Sequence, residues 1–253
     1  MTKSDISLLN KHKYVVTDQI TVHIPTIREI RGTSPELYGT DTDERDYYSM
    51  INMFSATSSD IMVELDERGI DFTEWSDYNT FLMFFSAMSK EKLHEKSSLL
   101  FDNIDLSEFD ISINSENQLT VLRNPYNNII IDEFLYMRLS AVFCTMNLIE
   151  KNRRKPANKT AREYIISRQK AKAKKQRKQP YYSRFDKNII AMVNNCNFKY
   201  NYDTVNDLTV YDFMVSVKQI VKKYQVDNLN TGLYMGTIDR KKIGDKLNWL
   251  DYE

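Results

Sequence analysis

The sequence predicts an α+β protein, predominantly helical, with small antiparallel β-hairpins and a protruding basic helix. Three observations lead there. Apolar residues recur at i, i+3, i+4 and i+7 through several segments, as they do in helices that bury one face. Two stretches, near residues 14–24 and 109–123, alternate apolar and polar side chains around turn residues, the pattern of antiparallel hairpins. Residues 151–178 carry thirteen Lys or Arg and one acid, Glu163, in a chain whose formal charge is zero. At 253 residues, 42% hydrophobic and 12% aromatic, the chain holds enough apolar surface to offset the entropy of folding.

The opening KYVVTDQITVHIP places β-favouring runs at 14–16 and 20–24 around Thr17-Asp18-Gln19, and Pro25 ends the hairpin because it cannot donate to a ladder. From PTIREI onward the pattern turns helical. Tyr47, Met50, Ile51 and Phe54 share one helix face, with Asp41 or Thr42 as N-cap. SSDIMVELDERG predicts a short helix capped by Ser58 or Ser59, with Ile61, Met62 and Leu65 inward and Gly69 as its C′ stop. SDYNTFLMFFSAM predicts another that starts at Ser76 and packs Tyr78, Phe81, Leu82 and Phe85.

In FDISINSENQLTVLR, Phe109, Ile111 and Ile113 alternate with polar neighbours, the chain turns at Ser115-Glu116-Asn117, and alternation resumes with Leu119 and Val121. NPYNN breaks the pattern. Leu135, Leu139, Val142, Met146 and Ile149 then mark a helix of about five turns. Beyond the basic stretch Pro180 punctuates and RFDKNIIAMV predicts a short helix. In TVYDFMVSVKQIVKKY an apolar face of Val210, Phe213, Met214, Val217, Ile220, Val221 and Tyr224 opposes Lys218, Lys222 and Lys223. The tail, with three of the six glycines, is expected to dock in short turns through Leu233, Tyr234, Ile243, Trp249 and Leu250.

Charge divides the chain. Residues 1–150 hold 12 Lys or Arg against 25 Asp or Glu, residues 151–178 hold 13 against 1, and the remainder holds 10 against 9. This predicts an acidic hairpin-plus-helical domain over 1–150, a basic helical arm over 151–180, and a C-terminal helical region over 181–253 that packs on the first. Within the arm, TARE offers a capping box between Thr160 and Glu163, and Ala161, Tyr164 and Ile165 can bury the first turns. Past Arg168 no large apolar residue remains, so that half faces solvent, an acidic protein surface or phosphate. The candidate partner-binding residues are Arg153, Arg154, Lys155, Arg168, Lys170, Lys172, Lys174, Lys175, Arg177 and Lys178. Nucleic acid is the less favoured partner, because the run lacks interleaved aromatics past Tyr164 and no nucleic-acid fold surrounds it. Carboxylates of this chain or a neighbouring copy are the favoured one.

Signals for chemistry are sparse. Neither G-x-G-x-x-G nor a P-loop occurs, and two distant cysteines with His12, His23 and His94 make a poor zinc set. Cys144 and Cys196 are expected to be structural thiols, and the acid pairs Asp43-Glu44 and Asp66-Glu67 to be solvated. No catalytic, cofactor or metal residues are therefore assigned. The longest apolar stretch is interrupted by Asp132, Glu133 and Arg138, which argues against a membrane span. With no charged-then-apolar leader either, a reduced cytosolic chain is expected.

Three stretches, VHIPTIREI, YYSMINMFSATSSDIMVEL and GIDFTEWSDYNTFLMFF, together resemble a family encoded in tail modules of phages and prophages of Gram-positive bacteria. The segment from MVNNCNFKYNYDTVNDLTVYDFMVSVKQ through NTGLYMGTID to LNW resembles that family's C-terminal half. The chain departs from the family pattern after PT-x-x-EI, where it carries the longer RGTSPELYGTDTDERD. The resemblance implies tail or baseplate morphogenesis without a reaction or cofactor. The partners it implies are other tail or baseplate proteins, with further copies of the chain itself, either as a chaperone-like factor beside the tape-measure protein or as a virion component. It implies residence in the host cytoplasm during assembly, and in the virion tail if the protein is retained. Nucleic-acid binding through the arm, for example at a head–tail junction, is the alternative.

Overall fold

A computed structural model describes residues 6–31, 41–114, 118–153, 155–176, 183–243 and 247–248. The first hairpin pairs β1 (Lys13–Thr17) with β2 (Ile20–His23) antiparallel, Tyr14 opposite Val22. Its turn is one residue tighter than expected. Thr17 belongs to the ladder opposite Ile20, and its hydroxyl accepts from the Ile20 amide at 3.0 Å. Val16, Ile20 and Val22 face inward. After Pro25, α1 (Ile27–Arg31) begins with a capping box: the Thr26 amide donates to Glu29 Oε2 at 2.6 Å, and the Glu29 amide donates to Thr26 Oγ1 at 3.2 Å.

Four helices follow: α2 (Asp41–Ser55), α3 (Met62–Glu67), α4 (Asp77–Ala87) and α5 (Lys90–Leu100). Tyr47, Met50, Ile51 and Phe54 are all buried, as their spacing predicts. Asp41 and Thr42 are themselves helical, so neither is the N-cap of α2. α3 starts after Ile61 with no side-chain cap. Ser58 and Ser59 are too early, and the turn before it is closed by Asp60 Oδ2, which accepts from the Thr57 amide at 2.8 Å. Gly69 ends α3 as expected: at φ +72° it takes the left-handed conformation, and the Ile70 amide reaches back to the Leu65 carbonyl at 2.9 Å. Ser76 caps α4 by accepting from the Asn79 amide at 3.0 Å.

The second sheet has three strands in the order β3 (Asp110–Ile113), β4 (Thr120–Arg123), β5 (Ile130–Ile131), all antiparallel. The expected hairpin is present, and its turn at 115–117 lies outside the described residues. Its burial differs from the alternation. Ile111, Ile113 and Leu119 are exposed, while Val121 and Leu122, neighbours on opposite faces of β4, are both buried.

α6 (Glu133–Met146) is the central helix and is shorter than its apolar stripe. The Asn147 amide side chain donates to the Phe143 carbonyl and accepts from Tyr47 Oη at 2.9 Å, Leu148 adopts φ +51°, and the chain leaves the axis before Ile149. α7 (Lys159–Gln176), α8 (Arg184–Val193) and α9 (Val210–Tyr234) complete the described helices. At 1.5 Å per residue α9 spans about 37 Å, and its second half runs past the core. Val221 and Tyr224 are therefore exposed rather than inward. The helix also absorbs Leu233 and Tyr234, which were expected in turns; Tyr234 is 92% exposed and docks nothing, whereas Ile243 is buried. Trp249, Leu250 and Pro180 lie outside the described residues.

One core joins both ends of the chain. Leu8, Ile24 and Ile27 share it with Phe185, Met192, Val205, Val210 and Phe213. The Ile27 amide donates to the Leu208 carbonyl at 2.9 Å and the Val210 amide to the Pro25 carbonyl at 2.8 Å, a two-bond ladder that stitches α1 to the start of α9. Glu44, expected to be solvated, is 5% exposed and accepts from the Ser183 hydroxyl and, at 2.7 Å, the Arg184 amide. Its charge thus serves the dipole of α8. At the centre, the Phe54 ring lies 4.6 Å from Phe143, 5.1 Å from Phe81 and 6.0 Å from Phe101. Replacing Phe54 by Ala is expected to lower unfolding stability by about 3–5 kcal/mol, read as a fall in urea midpoint at unchanged m-value.

Candidate functional site

The basic segment leaves the core at Asn147 and is fastened at once. Lys151 Nζ donates to Asp77 Oδ2 at 3.2 Å and sits 5.3 Å from the Tyr136 ring centroid, while Arg153 lies 3.8 Å from the same carboxylate. The Thr57 hydroxyl donates to the Asn152 carbonyl at 2.9 Å. α7 then starts at a cap two residues before the expected capping box: Asn158 Oδ1 accepts from the Ala161 amide at 2.8 Å. Thr160 is already inside the helix, so its hydroxyl and Glu163 cannot form the box.

α7 lies along α3. Its inner stripe is Arg162, Ile165, Ile166, Gln169 and Ala173, and Ile166 is 5% exposed within a small second core made with Ile61, Met62, Leu65 and Phe72. Tyr164, expected to be buried, is 65% exposed. The period of 3.6 residues puts Tyr164 on the outer face together with Arg168 and Lys175. Two ion pairs close the seam, Arg162 to Asp71 at 3.2 Å and Lys170 to Asp66 at 2.9 Å, and the Arg162 guanidinium stands 6.0 Å from the Phe72 ring centroid. The Asp66-Glu67 pair is accordingly not simply solvated. The signal that could have located this seam is local: residues 60–77 hold seven acids and one base, Arg68.

The seam is incompletely filled. Hollows of about 260 Å³ between Met62 and Lys172, and about 290 Å³ among Trp75, Thr73, Arg153 and Lys155, flank it. The Trp75 indole N–H and the Arg162 Nε–H are buried without a hydrogen-bond partner, a cost of about 1–3 kcal/mol each.

Of the predicted partner-binding residues, Lys170 and Arg153 are thus engaged with Asp66 and Asp77 of this chain. Lys155, Arg168, Lys172, Lys174 and Lys175 are exposed and make no ion pair among the described residues. Arg154, Arg177 and Lys178 lie outside the described residues. No family model, curated protein or solved structure matches this chain.

Elsewhere the reactive side chains are scattered or masked. Burial pushes the Cys144 thiol up, which keeps it protonated at neutral pH, and Cys196 is exposed. His23 is set between Glu29 and Asp102 at 3.2 and 3.3 Å, and His94 contacts Asp105. Among the described residues no three His, Cys, Asp or Glu side chains are arranged to hold a metal ion, and no helix is long and apolar enough to cross a membrane.

Two outcomes follow for the seam. Ile166→Ala should weaken docking of α7 by about 2–3 kcal/mol, seen as roughly 30- to 150-fold faster amide exchange across its first three turns. The pH window has two edges. The Thr73 amide and hydroxyl, with Arg162, hold the Asp71 carboxyl below the ordinary carboxylate range, so its contribution is present above about pH 4 and lost as pH falls through the depressed value. The hydrogen bond to Asp66 raises Lys170, so that contribution is complete below its unfolded value, about 10.4, and lost as pH rises through the raised one. Trp75 fluorescence in a Trp249→Phe background should be flat from about pH 5 to 10 and shift outside it.

Proposed function

We propose that the protein is a non-enzymatic morphogenesis protein of a phage tail or baseplate, acting through protein–protein contacts made by α7. The observation that carries this reading is the divided charge of that helix. Its inner cations already have counter-ions, and these are aspartates of the acidic body. Arg168, Lys172, Lys174 and Lys175 remain exposed on the other faces, and the same chain offers an acidic surface of the kind they would complement. In an assembly of many copies, opposite charges on two parts of one molecule give steering and register more than affinity. The resemblance of VHIPTIREI and its companion stretches to tail-module proteins supports the setting. Residence follows from it: the host cytoplasm during assembly, and the tail if the protein is retained.

The test is deletion of residues 168–178, or K172E/K174E/K175E, in a phage that carries the gene. The triple substitution should leave folding unchanged, because exposed substitutions stay within about 0.5 kcal/mol, the deletion also removes the Lys170–Asp66 pair of the seam, and with either variant tail particles fail to form. Mass spectrometry of purified particles then separates a retained component from a factor that leaves. Normal particles from both variants would refute the reading. Binding of the purified protein to duplex DNA that weakens steeply with salt, by a slope of about 0.9 per phosphate contact, would transfer the arm to nucleic acid.

A further inference from the structure

Among the described residues β3 is an edge strand of its sheet, with no strand paired on its outer side. The Asn114 amide donates to the Leu119 carbonyl at 2.8 Å, which fixes the phase of the ladder. With Ser112 opposite Val121 and Asp110 opposite Arg123, these are the pairs that exchange hydrogen bonds with β4. Ile111 and Ile113 are the non-bonded pairs, so their N–H and C=O groups point outward from the sheet. Their side chains share one face and are 46% and 67% exposed.

Soluble proteins usually protect such an edge with a charge, a proline or a covering segment. Here residues 111–114 carry no charge. The one acid of the strand, Asp110, is neutralised by Lys90, whose Nζ reaches Asp110 Oδ1 at 2.9 Å and the Phe109 carbonyl at 2.5 Å. Lys90 therefore holds the start of the strand in place and removes the charge that would repel a partner.

We propose that β3 is an interface for a second copy of this chain, pairing antiparallel across a two-fold axis at Ser112. The segment I-S-I is its own complement in that register. Ile111 lies opposite Ile113 of the second copy, and Ile113 opposite Ile111, so the outward groups form four hydrogen bonds and four isoleucines cluster on one face. Asp110 meets Asn114, which places no like charges opposite one another. Ser112, whose hydroxyl is buried without a partner in the single chain, meets Ser112 of the second copy in a non-bonded pair, with Cα atoms about 4.5 Å apart. A register shifted by one residue would aim inward-bonded groups at the partner, and one shifted by two would set only one isoleucine opposite its copy, so the axis at Ser112 gives the fullest pairing. The contact does not involve α7 and stands or falls separately from the proposed role of the arm.

The experiment is light scattering of the full chain over a concentration series, with amide exchange at Ile111 and Ile113. The wild type should pass from monomer to dimer and protect both amides as it does. I111K/I113K should weaken dimerisation by about tenfold or more. K172E/K174E/K175E, and Ile190→Lys at an isoleucine 55% exposed on α8, should leave it unchanged. In a Cys196→Ser background, Ser112→Cys should form a disulfide-linked dimer on mild oxidation, since the expected Cα separation suits that bond. The proposal is overturned by a chain that stays monomeric throughout, by a dimer indifferent to I111K/I113K, or by edge amides protected only when a different protein is added.

Discussion

The ring of Phe54 is the contact on which the remaining architecture depends. It brings together α2, which carries it, α4 through Phe81, the end of α5 through Phe101 and α6 through Phe143. The cluster continues from Phe81 to Tyr136 at 4.9 Å and from Tyr136 to Tyr78 at 5.6 Å, and the Tyr78 hydroxyl donates to the Ile131 carbonyl at 2.9 Å. The aromatic core therefore also positions the inner edge of the three-stranded sheet. Rings packed at these separations contribute dispersion and quadrupole terms beyond area burial, about 0.5–1.5 kcal/mol per pair. Once α2 and α4 are set, the segment between them is set too, and α3 with its acids faces outward where α7 can lie on it.

The seam between α3 and α7 follows a different logic. Its ion pairs are partly exposed, and such pairs contribute little net stability, typically below about 1 kcal/mol each. Buried donors without partners and two flanking hollows offset part of the gain from Ile166. The ion pairs act chiefly on position. Asp66, Asp71 and Asp77 meet Lys170, Arg162 and Lys151 in reverse order along the chain, so α7 runs antiparallel to the acidic segment and is held at its start and middle. A neutral total charge thus resolves into acids used internally and cations left over near the end of one helix.

Capping shows how local signals compete. Two of the T-x-x-E motifs, Thr26 to Glu29 and Thr160 to Glu163, carry the same residue chemistry, yet of these only the first forms the reciprocal box. Pro25 holds the chain extended just before Thr26, whereas Asn158 starts α7 two residues ahead of Thr160 and makes that threonine helical. Glu44 illustrates the same limit at longer range. Its pairing with Asp43 in sequence suggested a solvated acid, but the carboxylate accepts from the amide of Arg184, 140 residues away.

Local periodicity determined both hairpins and the helices other than α5, the inward faces of α2, α3 and α4, the stop at Gly69, and the existence of an acidic body with a basic arm. Those features follow from side-chain spacing and backbone preference within a few turns of chain, so neighbouring residues carry the information. Which face of the second hairpin is covered, where α6 stops, how far α9 extends, and which cations of the arm find partners were decided only in three dimensions. Each depends on what another segment brings to the contact: Tyr47 at Asn147, the core beneath α9, and three aspartates beneath α7. A single sequence records the charges of the arm, but their neutralisation depends on distances that only the packed chain defines.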